Sequence, residues 1–79
     1  MTPEEAFGIV LKERRNALKL SQEKLAFQAG LDRTFISMLE RGKRQPSLTS
    51  ILILAEALDV PAEQMVKKTK IILAKRKEK

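Results

Sequence analysis

Cysteine, histidine, tryptophan and tyrosine are all absent from this sequence. Without cysteine there is no disulfide and no thiolate metal site, and a reducing compartment is expected. Without histidine as well, metal sites and histidine-assisted nucleophiles are excluded, so neither a metal nor a cofactor is expected. Glycine is scarce: Gly8, Gly30 and Gly42 form neither a P-loop nor a dinucleotide fingerprint. The acidic residues are scattered over polar helix positions, with no pair suited to acid–base work. An enzyme is not expected. The longest apolar run, Ile51 to Ala55, falls far short of the ~20 residues of a membrane span. Glu4 and Glu5 precede the first apolar residues, the wrong sign for a secretory signal. A cytoplasmic protein without membrane contact is the expectation.

What is present is positive charge, unevenly placed. The 79 residues carry a net charge of +6, yet residues 1–66 hold nine basic and nine acidic side chains. The whole excess lies in residues 67–79, with seven basic residues against one acidic. Residues 33–44 net +3, from Arg33, Arg41, Lys43 and Arg44 against Glu40, whereas residues 45–66 carry only Glu56, Asp59 and Glu63. A basic middle beside an acidic flank suits a chain with one side turned to nucleic acid.

The chain is short enough for one small domain, whose core supplies about 3–5 kcal/mol. Thr2-Pro3-Glu4-Glu5 is a helix start, with Thr as N-cap, Pro in the first turn and Glu three residues after the cap. Phe7, Val10, Leu11, Arg14 and Leu18 then recur at helical spacing to about Lys19. Ser21 caps a second helix with the apolar stripe Leu25, Ala26 and Ala29, which ends at Gly30. Asp32 caps a third, running to Arg41 and stopping at Gly42. Pro46-Ser47 opens a fourth over about 48–58, and Pro61 a fifth. Nothing alternates with period two over a useful length, although Lys70 to Leu73 fits a short strand. An all-α chain of five helices is predicted. Its domain occupies residues 1–66, and residues 67–79 form a basic extension that is either the end of the fifth helix or a frayed tail.

The second and third helices, joined by Gly30-Leu31-Asp32, form a helix-turn-helix. Phe35, Ile36 and Leu39 lock the third helix onto the second, which turns Arg33, Thr34, Ser37 and Met38 outward. A helix presented this way fits the ~12 Å major groove, its N-terminal residues nearest the base edges. "LSQEKLAFQAGLDRTFISMLERGKRQPSLTSILILAEALDVPAEQM" resembles the Cro/C1-type (XRE-like) helix-turn-helix domain of phage repressors and bacterial regulators, over roughly residues 8–66. The elements of that pattern come in order: Ser-Gln-Glu-x-Leu-Ala, Ala-Gly, Ile-Ser-x-Leu-Glu-Arg-Gly, then Pro-Ser-Leu. Arg-Thr-Phe-Ile-Ser most resembles the controller proteins of restriction–modification systems, which are small dimers.

The resemblance implies a compact lambda-repressor-like fold and a regulator that binds double-stranded DNA. By position it puts base contacts on Arg33, Thr34, Ser37 and Met38, and phosphate contacts on Gln22, Arg41, Lys43 and Arg44. Chemistry agrees: Arg33 suits guanine O6 and N7, and Thr34 suits a base, a phosphate or a thymine methyl. Gln22 opens a helix, where backbone N–H groups already favour an anion. Controller proteins often have Tyr where this chain has Phe35, which is therefore assigned to the core alone. Arg15 and Glu40 match a salt bridge between the first and third helices. Arg14 is left open, as a surface or phosphate-facing residue.

Leu48, Ile51, Leu52, Leu54, Ala55 and Leu58 suffice for the core contribution of the fourth helix. Ile53, at a position often polar in the family, remains over. With Val60, Met65 and Ile72 it forms an apolar patch away from the basic face, the expected homodimer interface. The reading is a homodimeric regulator on a (pseudo)palindromic operator, with RNA polymerase left open as a further partner. Its alternative is a protein-interaction module of the same fold, an antitoxin-type partner binder whose interface is the acidic, apolar stretch from Ser47 to Val66.

Overall fold

The computed structural model describes residues 1–77, with side chains described to Lys75. Residues 78 and 79 of the expected basic extension lie outside that range. Five helices follow one another: α1 (Pro3–Ala17), α2 (Gln22–Ala29), α3 (Arg33–Glu40), α4 (Leu48–Ala57) and α5 (Ala62–Lys77). No strand occurs among the described residues. α1 packs against α5 on one side and α3 on the other, while α2 packs on α3 and α4, and α4 also meets α5.

Each of the first four helices begins at a side-chain cap. Thr2 Oγ1 accepts from the Glu5 N–H (3.1 Å), and Glu5 Oε1 accepts from the Thr2 N–H (2.8 Å), a reciprocal box that satisfies two free donors. Ser21 Oγ accepts from the Lys24 N–H, Asp32 Oδ1 from the Thr34 N–H and Ser47 Oγ from the Ser50 N–H, all at 3.0–3.1 Å. Gly30 and Gly42 follow α2 and α3 with φ of 68° and 71°, the left-handed conformation that glycine adopts without Cβ strain. Lys19 and Asp59 do the same after α1 and α4, with φ of 59° and 55°. Behind them the Leu20 N–H donates to Arg15 O and the Val60 N–H to Ala55 O.

The core joins Phe7, Val10 and Leu11 of α1, Leu25 and Ala26 of α2, Ile36 and Leu39 of α3, Leu54 and Ala55 of α4, Leu58 and Met65. Two expectations fail here. Met65, expected in a dimer patch, is 1% exposed and shares a cleft with Val10, Arg14 and Ala17 of α1. It is one of the residues by which α5 packs on α1, so it has no surface to offer a partner. Leu48 and Leu52, expected inside, are 73% and 52% exposed. Ser50 takes the inward position in the first turn of α4, since its hydroxyl donates to Ser47 O (2.9 Å) and needs no solvent. The buried stripe is therefore Ser50, Leu54, Ala55 and Leu58, and Leu48 and Leu52 lie on another side of the helix.

Lys70 to Leu73 is helical: Ile72 continues the inward register of Met65 and Thr69, and the described residues offer no strand for pairing. α5 runs unbroken through 66 and 67, so the change of composition there is not a structural break.

Gly8 is where α1 crosses α3. A Cβ built there would stand 2.5 Å from Leu39 O and 2.7 Å from Glu40 O. Both are backbone atoms of a helix held on its other side by α2, so they have no simple way to yield. Gly8→Ala gains about 1 kcal/mol of helix propensity, but the forced overpacking costs about 1–3 kcal/mol. A net loss of about 1 kcal/mol in urea unfolding is expected; a stabilised Gly8→Ala variant would show that the crossing has slack.

Candidate nucleic-acid interface

The turn between α2 and α3 is built by Gly30, whose left-handed backbone lets the Leu31 N–H donate to Ala26 O at 2.9 Å. Asp32 then caps α3 within three residues of the end of α2. Ile36 and Leu39 are fully buried and seat α3 against the rest of the domain. Arg33 and Thr34 are exposed, and Ser37 and Met38 are half-buried. The four side chains expected to reach bases thus share the part of α3 that the core does not use. At eight residues the helix is about 12 Å long, within the dimensions of a major groove.

The chain leaves α3 through Gly42, with the Lys43 N–H returning to Met38 O at 2.8 Å. This bond folds the basic loop back toward the helix. Arg41 is exposed, and its Nε donates to Ser37 O at a long 3.4 Å. Lys43 is exposed. The Arg44 guanidinium lies over the Phe35 ring, 5.5 Å from its centroid. Phe35 is half-buried, packed on the core by one part and on Arg44 by another, so it is not the purely internal residue expected from the sequence.

Beneath the motif lies a charged network. Arg15 Nε and Nη2 donate to Glu40 Oε2 (2.6 Å) and Oε1 (3.0 Å), and Arg15 Nη1 donates to Leu20 O (2.7 Å). Only 10% of the Arg15 side chain and 2% of the Glu40 side chain remain exposed. Hydrogen bonding to Glu40 raises the Arg15 pKa above its ordinary value, outweighing the opposite effect of burial. Gln22 joins the network: its Nε2 donates to Glu40 Oε1 at 3.0 Å. The amide expected on a phosphate is thus turned inward, where Glu40 Oε1 accepts from it as well as from Arg15.

Arg14 takes neither of the roles left open for it. Its Nε and Nη2 donate to Leu58 O and Asp59 O, both at 3.0 Å, so it closes the C-terminal end of α4, where a positive charge is favoured. Two further surface features carried no sequence signal. Phe27 on α2 is 81% exposed, and Leu48 and Leu52 stand out from α4. Among the described residues no group of acidic side chains is placed to hold a metal ion. No described helix is long and apolar enough to cross a membrane.

Two short helices at a glycine turn, the second seated by buried aliphatics and followed by a basic loop, define a helix-turn-helix domain. The chain belongs to that family: the helix-turn-helix family model matches residues 11–65. It is a Cro/C1-like transcriptional regulator of the controller-protein type. The control protein C.BamHI of Bacillus amyloliquefaciens is 41% identical over 66 residues, which cover 82% of each chain. The restriction–modification controller protein C.AhdI of Aeromonas hydrophila superposes with a TM-score of 0.77 at 48% identity, covering 78% of this chain and 94% of its own. The controller protein C.Esp1396I, solved as a tetramer on its natural 35-base-pair operator, superposes with a TM-score of 0.76 at 29% identity, covering 87% and 96%.

Proposed function

We propose that the protein is a sequence-specific, double-stranded-DNA-binding regulator, not an enzyme, that acts in the cytoplasm as a homodimer on a (pseudo)palindromic operator. The observation that carries this reading is α3 itself, seated by Ile36 and Leu39 with Arg33, Thr34, Ser37 and Met38 left outward. The exposed cations Arg41, Lys43 and Arg44 follow directly. Each subunit inserts α3 into a major groove, on half-sites about one helical turn apart. The outward side chains read base edges, and the loop cations neutralise phosphate. The operator-bound tetramer of C.Esp1396I supports duplex DNA as the ligand.

The homodimer forms through α4 and α5. With Met65 committed to the core, the surface available is Leu48 and Leu52 on α4 and Val66 and Ile71 on α5, the last two 44% exposed. Ile53, Val60 and Ile72 are half-buried and contribute at its edges. Along α4 the exposed stripe continues from Leu48 and Leu52 to Glu56, whereas on α5 Val66 and Ile71 are flanked by Lys67 and Lys70. One helix is apolar and acidic, the other apolar and basic. In a two-fold dimer, α4 of one copy set against α5 of the other brings these opposites together.

Leu52→Asp places a charge in this contact, where burial without a partner is expensive. A folded monomer is expected by sedimentation, with at least tenfold weaker binding to a duplex selected from a random DNA pool. A Leu52→Asp protein that remains dimeric places the interface elsewhere. A wild-type protein that enriches no sequence from the pool overturns the DNA-reading function itself.

A further inference from the structure

Phe35 belongs by sequence to the apolar side of α3, yet its ring is only half-buried and carries the Arg44 guanidinium 5.5 Å from its centroid. Eight residues lie between the two positions, and the route between them is defined. Gly42 reverses the chain in a left-handed turn, the Lys43 N–H is fixed to Met38 O, and Arg44 is thereby directed back along α3 toward its first turn. Phe35 is the third residue of that turn. A guanidinium held over a ring by cation–π attraction spends none of its N–H donors on that contact, which leaves them for an anion. The loop's other cations are held differently. Arg41 turns its Nε to a carbonyl of its own helix, and Lys43 is exposed on a flexible stem.

We infer that Phe35 is a positioning residue for DNA binding: its ring is the platform that holds Arg44 edge-on to a phosphate at the rim of the groove entered by α3. The proposal rests on the DNA-binding reading above and adds to it a role for an uncharged side chain that touches no nucleotide. An arginine fixed before association loses little rotamer freedom when it meets phosphate. One free in solvent must be ordered in the complex, which weakens the contact. Phe35 also joins the seat of the reading helix to the loop behind it, because the ring that supports Arg44 packs by its other edge on the core.

The test exploits the lack of charge. Binding of wild type, Phe35→Leu, Phe35→Tyr, Arg44→Ala and the Phe35→Leu/Arg44→Ala double variant is measured against the wild-type-selected duplex at four salt concentrations. Urea unfolding shows which variants stay folded. Phe35→Leu keeps apolar volume toward the core but removes the ring face. It is expected to weaken binding about 2- to 5-fold, the range of an exposed cation–π contact. It should also lower the slope of log K against log salt by a good part of the ~0.9 that one phosphate contact contributes. Phe35→Tyr, which keeps the ring, should retain the wild-type slope. In the Arg44→Ala background Phe35→Leu should have no further effect. An unchanged slope in a folded Phe35→Leu protein, or losses that simply multiply, overturns the platform while leaving DNA binding intact. A wild-type protein whose association has no salt dependence overturns the underlying reading instead.

Discussion

Glu40→Ala is expected to destabilise the fold by about 3–5 kcal/mol, comparable to the whole stability of a domain this small. Glu40 accepts two hydrogen bonds from Arg15 and one from Gln22, with 2% of its side chain exposed. Removing it leaves a guanidinium that is itself nearly buried, with one remaining acceptor at Leu20 O. Arg15 has no escape by deprotonation, since a guanidinium stays protonated in proteins even without its partner. The penalty is therefore that of an uncompensated buried charge, not of one lost contact. Circular dichroism during urea titration should show Glu40→Ala largely unfolded at 25 °C. An Arg15→Met/Glu40→Leu protein, which removes both charges and keeps the volume, should unfold much closer to wild type. A loss below about 1 kcal/mol in Glu40→Ala would place the pair among solvated surface bridges.

This network shows why part of the domain is legible in the chain and part is not. Helix starts are local events. Thr2, Ser21, Asp32 and Ser47 each cap within three residues, so their meaning is written beside them. Two of the helix ends carry glycine and are equally plain. The other two put Lys19 and Asp59 in the left-handed region, where nothing in the residue type announces it. There the conformation is secured by Leu20 and Val60 closing backbone bonds behind the turn.

Inward and outward positions on α4 depended on Ser50, a polar residue buried because its hydroxyl finds a backbone acceptor one turn back. A hydrophobicity pattern counts such a residue as exposed, so it assigns Leu48 and Leu52 inward while placing Leu54, Ala55 and Leu58 correctly. Met65 failed for the opposite reason: an apolar residue after an acidic helix start reads equally well as core or patch. Arg14 was undecidable from the chain alone, because its acceptors at Leu58 and Asp59 lie more than forty positions away. α3 departs from expectation only at Phe35, which is half-buried beneath Arg44. Ile36 and Leu39 determine its buried side, and its other side chains follow by helical geometry. Among the family's contact positions Arg33, Thr34, Arg41 and Lys43 are exposed, whereas the Gln22 amide is bonded to Glu40.

Arg33→Ala and Lys43→Ala are expected to weaken DNA binding in two distinguishable ways. Arg33 is the first residue of α3, exposed, at the end of the helix proposed to enter the groove. Its paired donors match guanine O6 and N7, and losing such a pair costs about 1–3 kcal/mol of discrimination. The Arg33→Ala protein should bind its selected duplex about 5- to 150-fold less tightly, and become tolerant at one base position in each half-site. Lys43 stands beyond Gly42 with its backbone tied to Met38 O, outside the helix and past the part of α3 proposed to face bases. In the proposed pose a side chain placed there meets the sugar-phosphate backbone. Lys43→Ala should lower affinity for every sequence by a similar factor and reduce the salt slope by about 0.9. Both variants are measured on the selected duplex and on each single-base substitution of it, at two salt concentrations. If Arg33→Ala weakens all duplexes equally and keeps the wild-type base preferences, Arg33 is a phosphate clamp. The choice of sequence then rests on Thr34, Ser37 and Met38.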